Sequence, residues 1–558
     1  MLLSLWVSFL PLVFAQTWCG KVYEQGTPVV PPVGQFPLPV ATSPQLALRC
    51  NPAQIPFLPD DLNTPSSVIL VDALVRNRAI TGAQPLNTMS QDSELQVTVS
   101  LDGETLTTGN VYLNGSAALP FSLSRISPRM APYTLACTAV TLSSPKQTFT
   151  SIPTNLTYLP PPPEYIGSVT KRDLKTGGLL AKRAHIQEPY QLIFPVGFFT
   201  NFEGYLEDND TSLEVLKSQG FNVVHPLPPF DNLTTFNHMV DKMEELGLWL
   251  MYEMPGGYMN LTSVTEHVKQ LRNRTNLLLY YTADEPDGSE QPPSGPASTT
   301  THINSLDPYR PSSIVLNCQD YFFSDYAAGT PVLMQDAYPI GINATYSVVW
   351  NTSCTRDQGD CGCDNCVGDF EDIRNRVYDF TMRLEVLGWE RSTAVWTVPQ
   401  AFGGPGSRYW SRIPTGAEFL VEMIVAINAG ARGSVAWNDP TTPDIKANAS
   451  ALALALPDLT PFLLSSPLSQ PPVHYTHVIT PHRLEFGLWA SADGKTLVMG
   501  SNLNRFAANV TLSEIFSAAN HRFPASGGSP HMVLDGGGRI TGSQIIFGSV
   551  QSGAWIFG

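Results

Sequence analysis

The sequence predicts an α/β protein, a (β/α)8 barrel flanked by an N-terminal and a C-terminal β-sandwich domain. Three observations predict it. Between residues 192 and 438, eight apolar runs of strand length alternate with segments whose apolar residues recur at three- and four-residue spacing, the rhythm of strands followed by helices. The runs are continuously apolar, as strands buried on both faces of a parallel sheet are. On either side the pattern changes to short alternating segments with turn residues about every ten positions, as in antiparallel sandwiches.

Taken in order, residues 1–15 (MLLSLWVSFLPLVFA) read as a signal peptide, with small residues at Val13 and Ala15 and cleavage before Gln16. Residues 16–65 are Pro-rich and read as irregular. Residues 66–163 carry alternating segments such as SELQVTVSLDG and close on Pro160-Pro161-Pro162-Pro163, a stiff spacer. The dibasic pairs Lys171-Arg172 and Lys182-Arg183 follow, and read as ordinary surface pairs rather than processing sites.

The barrel is placed at 185–460. Its strands are read at 192–199, 221–228, 248–255, 277–286, 312–318, 331–339, 393–402 and 433–438. Segments such as TTFNHMVDKMEELG and DIRNRVYDFTMRLEVLG supply helices that end at glycine. An open doubly wound sheet also alternates, but no Gly-x-Gly-x-x-Gly follows the first strand. Residues 472–558 return to alternation and are placed in the C-terminal sandwich.

Composition bounds the function. The 558 residues carry 48 acidic and 32 basic side chains, a formal charge of −16, which argues against a nucleic-acid partner. No later apolar run approaches twenty residues, and the C-terminus lacks the hydrophobic tail of a lipid-anchor signal, so the protein is expected to be secreted, with no membrane partner. Only 14% of residues are charged, low for a soluble surface. Ten Asn-x-Ser/Thr sequons offer another source of hydration: Asn114, Asn155, Asn209, Asn232, Asn260, Asn273, Asn343, Asn351, Asn448 and Asn509.

The cysteines, Cys19, Cys50, Cys137, Cys318, Cys354, Cys361, Cys363 and Cys366, are even in number, as in a disulfide framework. The cluster CTRDQGDCGCDNC would also suit zinc by ligand count. Its irregular spacing and an oxidising compartment favour disulfides.

A barrel enzyme places its chemistry at the C-terminal ends of its strands. Strand three ends at Glu253, strand four at Asp284-Glu285-Pro286, strand six at Asp336 before Tyr338-Pro339, strand seven at Gln400, and strand eight at Trp437-Asn438-Asp439. His225, ending strand two, reads as structural, and Tyr281 as packing or platform. No HExxH, no GxSxG and no histidine metal cluster occurs. Carboxylates beside aromatics, with no cofactor and no metal, fit glycoside hydrolysis: one carboxylic acid protonates the leaving oxygen and one carboxylate attacks or activates water. The catalytic candidates are Glu285 and Asp336; Glu253, Asp284, Tyr338, Gln400, Trp437 and Asn438 are substrate-binding candidates. The expected partner is a carbohydrate substrate.

The segment LLLYYTADEPDG resembles the strand-four segment of clan-A type retaining barrel glycosidases, in which an Asn-Glu-Pro or similar triplet carries the acid/base glutamate. The resemblance implies that role for Glu285. The sandwich–barrel–sandwich layout and Trp437 at the end of strand eight are similar to that superfamily too, and DEP, DAYP and VPQAF resemble secreted glycosidase-like proteins. The chain departs from the pattern at Gln400, where those enzymes carry a nucleophilic glutamate, and at Asp284, where they carry asparagine. Asp336 is the first substitute nucleophile and Glu253 the second. The alternative is a catalytically inactive barrel that binds carbohydrate or serves as a cell-wall glycoprotein.

Overall fold

A computed structural model describes residues 16–62, 64, 67–87, 94–142, 146–209, 211–254, 257–464, 475–491, 493–521 and 530–558. The signal-peptide reading, on residues 1–15, lies outside them. Each of the eight apolar runs overlaps one barrel strand: β1 (Val196–Asn201), β2 (Val223–Leu227), β3 (Trp249–Glu253), β4 (Leu277–Ala283), β5 (Ser312–Leu316), β6 (Val332–Gln335), β7 (Ala394–Thr397) and β8 (Ser434–Asp439). They hydrogen-bond in sequence order, all parallel, and β8 returns to β1 to close the barrel. Helices follow them: α1 (Thr211–Ser218), α2 (Leu233–Leu246), α3 (Leu261–Leu271), α4 (Gly295–Leu306), α5 (Phe323–Tyr326), α6 (Glu371–Leu387), α7 (Gly416–Asn428) and α8 (Pro443–Leu463).

The strands read as continuous apolar runs because both faces are covered. Phe199, Met251, Leu279, Tyr281, Met334, Trp396 and Val435 fill the barrel's interior. Phe198, Val224, Leu250 and Tyr280 belong to the layer packed against the helices. Caps are placed where the sequence supplies them. Asn232 and Asn260 accept from the backbone N–H of Thr235 and Ser263 at the starts of α2 and α3. Thr415 and Glu418 form a capping box on α7.

The N-terminal sandwich differs from the sequence reading in one respect. Residues 16–65 are not all irregular: Val40–Pro52 is a 13-residue strand, paired with Val68–Arg78. A register shift between Val40 and Gln45, around Pro44, hides it. From Leu46 to Pro52 every residue is buried, so no alternation shows. One face of this sheet joins the sandwich core. The other carries Arg49 onto Gly388, just past α6. The facing sheet is built on Glu94–Leu101, Glu104–Tyr112 and Tyr133–Thr141, and Cys50–Cys137 bridges the two.

Between sandwich and barrel, Ser168–Asp173, Leu179–Arg183 and Gln191–Ile193 form an antiparallel sheet with Gln54–Ile55. Lys171 is therefore no surface residue. It is buried and its ammonium contacts Asp61 at 2.7 Å. After α8, a five-stranded sheet sets Trp489, Leu497 and Met499 in the same apolar cluster as Leu420, Met423 and Ile427 of α7. Its other face packs Phe486, Leu488, Val498 and Trp555 with Ile545 and Phe547 of a three-stranded sheet.

All eight cysteines are paired, as Cys19–Cys318, Cys50–Cys137, Cys354–Cys361 and Cys363–Cys366. The cysteine cluster thus offers no thiolate for zinc. No helix among the described residues is long and apolar enough to cross a membrane.

Candidate active site

The C-terminal ends of β3, β4 and β6 bring four carboxyls together. Asp284 and Glu285 lie just past β4, Asp336 just past β6, and Glu253 ends β3. Glu285 has a positive φ of 42°, uncommon for a residue with a side chain and more frequent where a site demands it. The turn is clamped from below by Asp287, whose buried carboxylate accepts from the backbone N–H of Gly288, Asn317 and Cys318 at 2.9, 3.2 and 2.8 Å. Burial pushes Asp287 up to about 7 against the pull of those donors.

Asn317, the residue after β5, links the two catalytic candidates. Its Nδ2 donates to Glu285 Oε1 at 2.8 Å and lies 3.4 and 3.5 Å from the two oxygens of Asp336. Asp336 is only 2% exposed. Burial raises Glu285 well above the usual carboxylate range, and the Asp336 charge and a carboxyl–carboxyl hydrogen bond to it add to the effect. The Asp336 charge thereby favours the protonated form of Glu285. That geometry corrects one expectation. Asp336 does not face Glu285 across a substrate-sized gap, which for a hydrolytic pair is about 5 Å or more. It stands beside Glu285 and adds to the upward push that burial gives its pKa.

Asp284 is the most exposed of the four residues, with Glu253 and Glu285 half-buried. The Tyr281 hydroxyl donates to its Oδ1 at 2.6 Å. The residue is exposed, yet the surrounding protein still desolvates its carboxyl. Burial raises it to about 7, the charges of Glu253 and Asp336 add, and the Tyr281 bond opposes them. Glu253 is half-buried, with Oε2 3.1 Å from His225 Nε2. Burial lowers the His225 pKa against the pull of Glu253. The ring is therefore neutral and carries its proton on Nε2 to donate to the carboxylate. The ring packs at 4.2 Å on Phe199 and 4.7 Å on Tyr281 and holds Glu253 through Nε2, while its buried Nδ1 has no hydrogen-bond partner.

The aromatic candidates border this group. Tyr338 is buried edge-to-face against Phe402 at 5.0 Å. Trp437 is half-buried and tilted against Phe199 at 5.2 Å. Asn438 donates from Nδ2 to Asn201 Oδ1 at 3.1 Å, across the β8–β1 seam.

Gln400 does not join them. It is fully buried, its Nε2 donates to the carbonyls of Ile340 and Phe402, and its Oε1 accepts from the Ile340 N–H. Every polar atom of the side chain is used to tie the loop after β6 to the loop after β7. A substrate hydroxyl would find no free partner there.

Two residues outside the sequence candidates belong to the site. Asn317 closes the run SSIVLNC, so the strand-end rule applied to strand five finds it. Trp18, whose indole Nε1–H donates to Asn317 Oδ1 at 3.0 Å, lies 299 residues away in sequence, and no local signal marks it. Among the described residues, no group of three or more His, Cys, Asp or Glu is arranged to hold a metal.

No protein-family model matches the chain, and no curated protein matches it in sequence. Solved structures similar to it are barrel glycoside hydrolases. α-Galactosidase I of Mortierella vinacea aligns over 65% of this chain and 97% of its own at 11% identity and a TM-score of 0.41. A GH36 α-galactosidase of Geobacillus stearothermophilus aligns over 88% of this chain and 79% of its own, at 10% identity and a TM-score of 0.40. The α-amylase of Geobacillus thermoleovorans aligns over 64% and 92%, at 10% identity and a TM-score of 0.41.

Proposed function

We propose that the protein is a secreted glycoside hydrolase acting on a neutral extracellular glycan. The observation that carries this reading is an exposed residue, Asp284, beside Glu285 and Asp336, which share the Asn317 amide, with burial and the Asp336 charge raising the pKa of Glu285. Glycosidic cleavage needs a carboxylic acid and a second carboxylate. Glu285 delivers its proton to the leaving oxygen, and Asp336 and the Asn317 amide hold the acid in place. Asp284, with one oxygen bound by Tyr281 and the other free, attacks the anomeric carbon or takes the proton of the attacking water. The positive charge that develops on the sugar ring meets carboxylates on several sides. The charges acting on Glu285 and Asp284 are acidic in each case. A phosphorylated or uronic-acid substrate would be repelled at the same place.

One observation favours the second reading, a carbohydrate-binding barrel without hydrolysis. The β7 end, where the resembled enzymes carry their nucleophile, holds only the backbone-bound Gln400. A panel of aryl glycosides and oligosaccharides assayed with the wild type, Glu285→Gln and Asp284→Asn separates the two. Turnover that both substitutions abolish supports hydrolysis. Saturable oligosaccharide binding by the wild type with no turnover of any panel member supports the second reading.

Secretion and glycosylation belong to the same proposal. Nine of the ten sequon asparagines are exposed, and Asn448, on α8, is half-buried. Loss of mass on glycosidase treatment and a mature N-terminus at Gln16 are the expected findings in secreted protein. Full occupancy at Asn448 with none elsewhere would contradict the burial argument.

A further inference from the structure

Trp18 sits on a short hairpin, Thr17–Trp18 paired with Lys21–Val22, that grips the three loops around Glu285. Cys19 is bonded to Cys318, directly after Asn317. The Cys19 N–H donates to the Gly288 carbonyl at 3.3 Å, and the Gly20 N–H to Glu290 Oε1 at 3.1 Å, both on the loop after β4. Lys21 Nζ reaches Asp364, Asn365 and the Thr355 carbonyl on the loop after β6. The indole abuts Gly288. A Cβ there would meet ring carbons at 2.3 to 2.8 Å, so only glycine admits it.

An amide such as Asn317 has a donor end and an acceptor end of nearly equal shape, and its surroundings decide which way it points. Here they decide it without ambiguity. An indole N–H only donates, so the oxygen must face Trp18, which leaves the NH2 to face Glu285 and Asp336. We propose that Trp18 is a positioning residue for the proton donor, holding Asn317 in the one orientation that sets its NH2 on the Glu285–Asp336 pair. Only the purpose of that proton rests on the hydrolase reading; the geometry does not.

The consequence is a tuned proton affinity. Donation to the carboxylates favours their charged form, so the Asn317 amide offsets part of the upward push on Glu285 from burial, Asp336, Asp284 and Asp287. Arg376, on α6, donates to the Asn317 backbone carbonyl. A bland role for Trp18 also exists, because it lines a cavity of about 420 Å³ beside the cysteine loop. A plug would affect stability but not the titration of Glu285.

The test reads the titration directly. The infrared band of the protonated carboxyl, assigned by its loss in Glu285→Gln, is followed against pH in wild type, Trp18→Phe, Asn317→Ala and the double variant. Trp18→Phe keeps a ring over Gly288 and removes the N–H. Its midpoint is expected to rise by about one pH unit, the worth of one hydrogen bond to a charged group. The double variant is expected to match Asn317→Ala alone, because the two residues act through one contact. A wild-type midpoint in Trp18→Phe, or additive shifts in the double variant, would overturn the proposal. Should Trp18→Phe fail to fold in a thermal melt, 3-benzothienylalanine at position 18 repeats the test with the ring outline intact. A protein that turns over no glycoside would defeat the hydrolase reading and leave this measurement unaffected.

Discussion

Glu390 is placed where its protonation should govern how firmly the N-terminal sandwich sits on the barrel. It follows α6, and its carboxylate is 3.5 Å from the buried guanidinium of Arg49, on the sandwich strand Val40–Pro52. Neither carboxyl oxygen has a hydrogen-bond partner, and neither do the three guanidinium nitrogens of Arg49. Burial raises Glu390 from 4.5 to about 7 despite the attraction of Arg49. The sign follows from linkage. Below pH 4.5 both folded and unfolded chains keep the proton and nothing is lost. Between pH 4.5 and 7 the unfolded chain releases it first, so the folded state loses stability as pH rises. At roughly 1.4 kcal/mol per unit, the loss from this one group approaches about 3 kcal/mol. Glu390→Gln cannot ionise and should abolish that slope. Chemical denaturation at pH 4.5 and pH 8 should show near-equal stability for wild type and variant at the acid end. At the alkaline end the variant should be more stable by up to about 3 kcal/mol. Parallel pH profiles for the two proteins would refute the assignment of the buried charge to Glu390.

Further outcomes follow from the site. Tyr281→Phe removes the donor that favours ionised Asp284, so the acid limb of kcat/KM should move up in pH. Activity should fall about tenfold near pH 6 and recover above pH 8; an unshifted limb would detach Tyr281 from Asp284. Gln400→Glu should not supply a nucleophile, because the side chain faces the Ile340 and Phe402 carbonyls. It should cost about 2 kcal/mol or more of stability, read from a thermal melt, by setting a carboxyl against two acceptors. Replacing Cys50 and Cys137 by alanine should cost about 2–5 kcal/mol, with the sandwich melting before the barrel in a scanning-calorimetry trace.

The barrel was legible because parallel strands covered on both faces leave unbroken apolar runs, and each of the eight runs overlaps its strand. The strand Val40–Pro52 was hidden by Pro44 and by burial on both faces, which removes the period of two that marks a sandwich strand. At the site, reading the polar residue that ends each strand found Glu253, Asp284, Glu285 and Asp336, because a barrel's closure brings strand ends together. Their division of labour was not legible. It depends on which carboxyl meets solvent and which touches another, and one-dimensional order carries neither. Gln400 illustrates the same gap, since a strand-end amide can face the mouth or turn back onto its own loops. Trp18 was beyond reach for another reason: its place is set by the Cys19–Cys318 bond, one of many pairings that eight cysteines allow.

Proton donation by Glu285 is tested most directly by leaving-group dependence. Glycosides with poor leaving groups need the acid, and those with nitrophenolate-type leaving groups scarcely do. With Glu285→Gln, kcat/KM should fall by about 10² to 10⁴ for a sugar or alkyl leaving group and far less for a nitrophenyl one. Asp284→Asn, which removes the attacking carboxylate, should depress both together. Equal losses on both substrate classes in Glu285→Gln, or wild-type rates with the poor leaving group, would contradict the assignment of Glu285 as the acid.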